Sequence, residues 1–179
     1  MRKIVAELFT SLDGVVGSPD QWHGPHHSEE MEHDIQAGLA ASDTMLLGRR
    51  TYQEHAGFWP GESGGLADLM NGIDKIVFSA TLTELDWVNS RPATGDLTEE
   101  VTRLKRQPGK DILVTGSVTL VQSLLRAGLL DELRLLIDPV VVGDGRRLFE
   151  SEGERLSCAL AGSRTYTSGT ISATYAINH

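Results

Sequence analysis

The chain has 179 residues, 40% of them hydrophobic and 23% charged, which is typical of one globular domain spanning residues 1–179. Its formal net charge of −9 argues against a nucleic-acid-binding surface, and no apolar run reaches the roughly 18 residues of a membrane span. The single cysteine, Cys158, can form no internal disulfide and the N-terminus shows no signal-peptide pattern, so we expect a cytoplasmic protein.

The first predicted strand covers residues 3–9, and its mixed periodicity favours a central place in a sheet. Asp13–Gly14 follows as a turn signal between apolar runs. Asp13 has two interpretations: its carboxylate shapes the turn by accepting from nearby N–H groups, or it faces a substrate. Residues 18–27 form a polar loop containing Trp22, and Ser28 is predicted to cap the first helix.

Histidines and glutamates crowd the end of this loop and the start of the helix: His23, His26, His27, Glu29, Glu30, Glu32 and His33. Such a cluster can bind a metal ion, but the HExxH spacing is absent. We predict no metal site and instead a loop that closes over a pocket. A metal-dependent enzyme using the segment His23–His33 is an alternative.

Two segments repeat the same arrangement of strand, glycine and helix. The apolar run 44–47 leads into Gly48-Arg49-Arg50-Thr51 and a helix, and the run 112–114 leads into Gly116-Ser117 and a helix. Helix N-termini offer free N–H groups and the positive end of the helix dipole, so each can hold an anion. Two adjacent arginines at a helix start strengthen this interpretation. Their positive charges are unfavourable at the positive end of the helix dipole, and a bound anion would relieve this repulsion.

The other elements indicate a mostly parallel α/β sheet with an antiparallel edge. A third strand, 75–78, runs into the hydroxylic residues Ser79 and Thr81. The remaining predictions are irregular structure over 82–96, an exposed helix over 97–107, a strand in 132–142 broken at Asp138–Pro139, and a terminal hairpin of strands 156–167 and 170–178.

Three strands therefore end at Gly48, Ser79 and Gly116. In a parallel sheet these ends share one edge, where ligands bind. Two phosphate-binding helix starts suit a dinucleotide, although no GxGxxG fingerprint is present. The pair Arg49 and Arg50 would favour the 2′-phosphate of NADP over NAD.

Seven short segments of the chain resemble motifs of one protein family and follow each other in the same order. They are Ser11–Gly14, Leu47–Tyr52, Phe58–Pro60, Val77–Leu82, Asp111–Ser117, Gly128–Leu133, and Pro139–Gly145 with Leu148–Phe149. Together they resemble the reductase domain of the bifunctional riboflavin-biosynthesis deaminase–reductases and its stand-alone relatives, over nearly the whole chain. The resemblance implies a dihydrofolate-reductase-like fold, a mostly parallel central sheet flanked by helices with a C-terminal antiparallel hairpin. It also implies NADPH as cofactor, a small-molecule substrate and often a homodimer.

The resemblance further implies residue roles. Gly48, Arg49 and Thr51, with Ser79, would hold the adenosine phosphate side, and Gly116–Ser117 would hold the pyrophosphate with Leu120 behind the turn. The Asp13–Gly14 turn would face the substrate. Unlike the bifunctional enzymes, the chain has no deaminase domain and no zinc-site cysteine pattern.

The predicted function is an NADPH-dependent reductase acting on a small heterocyclic or carbonyl or imine substrate. Hydride transfer needs no protein nucleophile, but a proton donor helps, and Asp13, Glu29, Glu30 and Glu32 are candidates. Trp22 would cover a planar substrate. Dihydrofolate reductases carry an acid early in the first helix, and counting along the chain gives either His27 or Glu32 at that place. A nucleotide- or flavin-binding module without turnover is the other alternative.

Overall fold

An eight-stranded sheet forms the centre of the computed structural model, which describes residues 1–149 and 155–178. The strands are β1 Ile4–Ser11, β2 Ser42–Gly48, β3 Asp74–Phe78, β4 Ser90–Pro92, β5 Asp111–Val114, β6 Glu132–Asp138, β7 Cys158–Thr165 and β8 Ile171–Ile177. The helices are α1 Glu29–Ala40, α2 Arg49–Phe58, α3 Gly65–Gly72, α4 Leu97–Arg106 and α5 Val118–Arg126. No helix in these two ranges is long and apolar enough to cross a bilayer.

The strand order is β4-β3-β2-β5-β1-β6-β8-β7. The first six strands in this order are parallel, and β8 and β7 add an antiparallel hairpin, which confirms the predicted fold class. β1 lies between β5 and β6, as its mixed periodicity predicted. Because the strands are parallel, β1, β2, β3, β5 and β6 all end on one side of the sheet, which we call the carboxyl edge.

Helices cover both faces of the sheet. On one face Leu39 of α1, Tyr52 of α2 and Met70 of α3 pack against Met45 and Leu47 of β2. On the other face α4 and α5 cover β1 and β5 through a second apolar cluster. The carboxyl edge is therefore the place where α1, α2 and α5 begin, since each of these helices follows a parallel strand.

Two local predictions were wrong. Residues 82–96 contain the short strand β4, which pairs with β3 through Lys75 and Ser90; its sequence Ser-Arg-Pro carries no local strand signal. The helix α4 is less exposed than predicted, because Val101 and Leu104 lie in the core. Glu100 of α4 is also fully buried, where Arg91, Arg103 and Thr94 satisfy its carboxylate.

Candidate functional site

Two helix starts meet at the carboxyl edge. β2 ends at Gly48 and α2 begins at the next residue, while β5 ends at Val114 and α5 begins at Val118. β2 and β5 are neighbouring parallel strands, and the Gly48 N–H donates a 3.2 Å hydrogen bond to the Gly116 carbonyl. Two helix N-termini with unsatisfied N–H groups therefore lie side by side.

Both glycines are packed too closely to carry a side chain. A Cβ placed on Gly48 would lie 2.3 Å from Ser117 Oγ, and one on Gly116 would lie 2.8 Å from Thr51 Oγ1. Gly116 also has a φ of +139°, a conformation that favours glycine. The structure thus brings four predicted cofactor residues together, Gly48, Thr51, Gly116 and Ser117, which we call the glycine junction.

Arg49 and Arg50 open the first turn of α2 beside the glycine junction. Both side chains are exposed, and neither makes an ion pair or hydrogen bond within the described ranges. The N-cap residue, Gly48, has no side chain that could satisfy the first N–H groups of the helix. Two unpaired guanidinium groups and free helical N–H groups in one place form a surface that can bind an anion.

Three further predicted cofactor residues, Ser79, Thr81 and Leu120, lie in segments that follow β3 and β5. Ser79 follows the end of β3, and its Oγ accepts from the Thr81 and Leu82 N–H groups at 3.2 and 2.9 Å, which holds the turn. Leu120 is 6% exposed and packs in the core, while its N–H donates to Ser117 Oγ at 3.4 Å. Ser79 and Leu120 therefore support the backbone of the carboxyl edge.

The Asp13 carboxylate is bound by a distant loop. Its Oδ1 accepts from the Ser11 hydroxyl at 2.7 Å and the Val142 N–H at 3.0 Å, and its Oδ2 accepts from the Gly143 N–H at 2.8 Å. The Ser11 hydroxyl, followed by the backbone N–H groups, lowers the pKa of Asp13 to about 2. A carboxyl group with this pKa is ionised at neutral pH and cannot donate a proton there, so the geometry favours the turn role.

We expect Asp13→Asn to keep turnover of any substrate that the wild-type protein reduces, and to melt at a lower temperature near neutral pH. An amide oxygen can replace Oδ1, but the amide NH₂ cannot accept from Gly143. Because the pKa in the folded state is below the unfolded value, Asp13 stabilises the fold above about pH 4. This contribution is lost as the pH falls through about 2.

Circular dichroism melts should therefore show a difference between variant and wild type that shrinks at acidic pH. The control is Asp20→Asn, because Asp20 is exposed and its side chain makes no hydrogen bond or ion pair among the described residues. Loss of turnover in Asp13→Asn at unchanged NADPH affinity would instead give Asp13 a direct role in the reaction.

The remaining predicted substrate-side residues do not converge on Asp13. Gly14, with a φ of +84°, continues the turn, and the Trp22 Nε1–H donates to the Gly17 carbonyl at 3.0 Å. Glu30 accepts from the Thr167 N–H at 3.2 Å, in the turn between β7 and β8. Glu32 accepts from Gln36 at 3.0 Å and lies 3.5 Å from His27 Nε2. In the described part of the chain, the carboxylates of Asp13, Glu30 and Glu32 share no hydrogen-bond partner.

The histidine segment gathers no metal-ligand set: across residues 1–149 and 155–178, no three His, Cys, Asp or Glu side chains converge as metal ligands would. One histidine has another partner, which sequence reasoning did not find. His23 Nδ1 lies 2.7 Å from Oδ2 of Asp138, the last residue of β6, and Asp138 is fully buried. The available signal was an aspartate ending the apolar strand Leu135–Ile137.

Comparison with known proteins gives a consistent result. The family model described as the RibD C-terminal domain matches residues 2–172. The protein YyaP of Bacillus subtilis (strain 168) is 32% identical, covering 97% of this chain and 94% of YyaP. A crystal structure from Shewanella sp. PV-4, whose name assigns it to riboflavin biosynthesis, has a TM-score of 0.81 at 21% identity over 99% of both chains.

A dihydrofolate reductase from Enterococcus faecalis, in complex with NADP(H), has a TM-score of 0.65 at 15% identity. The match covers 99% of this chain and 97% of the reductase. At these identities the two solved structures show a shared fold.

Proposed function

We propose that this chain, which belongs to the RibD C-terminal domain family, is an NADPH-dependent reductase. The family and the fold support a reductase-type or NADP-binding function. The finer proposal is hydride transfer to a small substrate, a heterocycle or a compound with a carbonyl or imine group. The reaction would take place in the cytoplasm, where the exposed thiol of Cys158 stays reduced.

One observation supports this proposal most strongly: the unpaired Arg49 and Arg50 lie beside the glycine junction. The first turn of α2 would hold the adenosine 2′-phosphate, and the first turn of α5 at Ser117 would hold the pyrophosphate. Ser79 and Thr81 would line the adenosine side. When bound, NADPH supplies the hydride, while the protein fixes the cofactor and excludes water from the reacting atoms.

The proposal is tested by titrating the protein with NADPH and NADH and by following absorbance at 340 nm with a panel of carbonyl and imine compounds. A reductase should bind NADPH more tightly than NADH and oxidise it only when an acceptor is present. Tight NADPH binding without turnover on any acceptor would instead support the alternative of a binding module without catalysis. Failure to bind either dinucleotide would refute both functions.

We also propose that the protein is a homodimer that uses the outer edge of the sheet. All eight residues of the edge strand β7 are exposed, and among the described residues β7 pairs with another strand on one side only. Leu160 of β7 is 60% exposed and Ile171 at the start of β8 is 41% exposed. An uncovered strand with apolar side chains is unfavourable in water, and a second copy would cover it.

We expect Leu160→Lys to shift sedimentation velocity from dimer to monomer without lowering the melting temperature of the monomer. A charge cannot be buried in an apolar contact between copies unless it is paired. Val88→Lys is the matched control, because Val88 is 57% exposed beside the opposite edge of the sheet. A wild-type protein that sediments as a monomer at micromolar concentration would contradict the dimer.

A further inference from the structure

A buried carboxylate at the end of β6 holds a histidine side chain in place. Asp138 Oδ2 is 2.7 Å from His23 Nδ1, and Asp138 Oδ1 accepts a 2.7 Å hydrogen bond from the Thr170 hydroxyl. Asp138 and Thr170 are both fully buried. A buried carboxylate that accepts from Nδ1–H fixes the orientation and the tautomer of an imidazole.

The other ring nitrogen of His23 is free. Phe9 of β1 stacks on the ring with centroids 3.9 Å apart, and the His27 ring meets it edge-on at 6.4 Å. The His23 side chain is 13% exposed, and Nε2 has no hydrogen-bond partner among residues 1–149 and 155–178. A fully buried side-chain polar atom without a hydrogen-bond partner occurs in those ranges only at Ser90 Oγ. Because Nε2 of His23 has no partner and is not such an atom, it is accessible to solvent.

The pair lies at the carboxyl edge of the sheet. Asp138 pairs with Ser11 at the end of β1, whereas β5 ends level with Ala6. β1 and β6 therefore extend about 16 Å further than β5, at about 3.3 Å per residue. His23 lies on this extension, on the face covered by α1, because Phe9 belongs to the apolar cluster of Met31. The glycine junction lies at the same carboxyl edge.

We propose that His23, positioned by Asp138, donates the proton in the reduction and that the substrate carries a carbonyl oxygen or imine nitrogen to receive it. This inference rests on the proposed reductase function. As the electrophilic carbon accepts the hydride, the C=O or C=N π pair moves to the heteroatom. The His23 Nε2–H proton bonds to that atom, NADPH becomes NADP⁺, and the neutral imidazole regains a proton from water.

Few titratable groups face His23. Asp138 at the end of β6 contacts the His23 ring. His27, which follows His23 in the loop before α1, meets the ring edge-on and lies 3.5 Å from Glu32 of α1. Phe9 and Thr170 are uncharged. A rate that requires protonated His23 should fall as the pH rises, and Asp138 is the carboxylate in contact with this ring.

The test uses His23→Asn, because the asparagine amide nitrogen occupies nearly the position of Nδ1 and keeps the hydrogen bond to Asp138. The variant lacks Nε2 and does not titrate. His23→Ala removes the bond as well, and His33→Asn is the matched control, since His33 is exposed in α1. The probes are isatin, a planar heterocyclic ketone, and 3,4-dihydroisoquinoline, a cyclic imine. NADPH affinity, melting temperature and the pH dependence of kcat are measured for each variant.

For His23→Asn we expect kcat to fall by about 100-fold or more and to lose the pH dependence that the proposal predicts for the wild type. NADPH affinity and melting temperature should stay close to wild type, and His33→Asn should match wild type throughout. A readout without turnover is the Nδ1 proton of His23, which should give a protected NMR signal that is absent in His23→Asn.

A structural role would give a different pattern. His23→Asn would then turn over like the wild type, with the same pH profile, and only His23→Ala would be unstable; this result would overturn the proposal. A wild-type protein that binds NADPH but reduces neither probe would also overturn it, while leaving the cofactor site in place. A wild-type protein that does not bind NADPH would refute the proposed function itself.

Discussion

Replacing Gly48 with alanine should weaken NADPH binding by about 100-fold or more. The new Cβ would lie 2.3 Å from Ser117 Oγ and 2.9 Å from Ser117 Cβ, so the two helix starts must separate. Gly48 has an ordinary φ of −80°, and alanine therefore adds no backbone strain of its own. The loss of affinity would report the geometry of the glycine junction.

The matched control is Gly57→Ala in the same helix α2, where a Cβ would have no neighbour within 4 Å. It should bind NADPH like the wild type. Ser117→Gly removes both clashing atoms, so the double variant Gly48→Ala/Ser117→Gly should regain part of the lost affinity. If Gly48→Ala folds and titrates with NADPH like the wild type, the glycine junction is not the pyrophosphate site.

Arg49→Ala should weaken NADPH far more than NADH. A charge-assisted contact to the 2′-phosphate is worth about 1.5–3 kcal/mol, or roughly 10- to 150-fold in affinity. NADH lacks this phosphate, and its affinity should change little. The selectivity should also fall with added salt, because the Arg49 side chain is exposed and its charge is screened.

Calorimetric titration of both dinucleotides measures this effect. Arg106→Ala removes the same charge from the exposed end of α4, which leads into the start of β5 at the edge of the sheet opposite to the site, and should change neither affinity. Equal losses for NADPH and NADH in Arg49→Ala would mean that Arg49 contributes general electrostatic attraction and does not read the 2′-phosphate.

Local sequence patterns made the two strand–glycine–helix segments predictable. The segments at Gly48 and Gly116 each show an apolar run, a glycine and a helix start within a few residues, and the structure has β2, α2, β5 and α5 in those places. Ser28 and Ser117 were recognised as N-caps from residue type, and both side chains accept from an N–H three residues later. These features depend on residues that are only a few positions apart, so they can be recognised from the sequence alone.

Contacts between distant residues were not predictable in the same way. The Asp13 carboxylate binds backbone N–H groups of the 142–143 loop, and His23 binds Asp138 across 115 positions of the chain. No periodicity relates such pairs, because the sheet order brings the ends of β1 and β6 together only after folding. The strand β4 was missed for the same reason, since its pairing with β3 depends on tertiary contact.

The most direct test of the central claim is a crystal structure of the complex with NADP⁺. The proposed function places the pyrophosphate within hydrogen-bond distance of the Gly116 and Ser117 N–H groups, and the 2′-phosphate against Arg49 or Arg50. The nicotinamide ring should point toward β1. A dinucleotide bound anywhere other than the carboxyl edge, or with its 2′-phosphate away from both arginines, would contradict the proposed cofactor site.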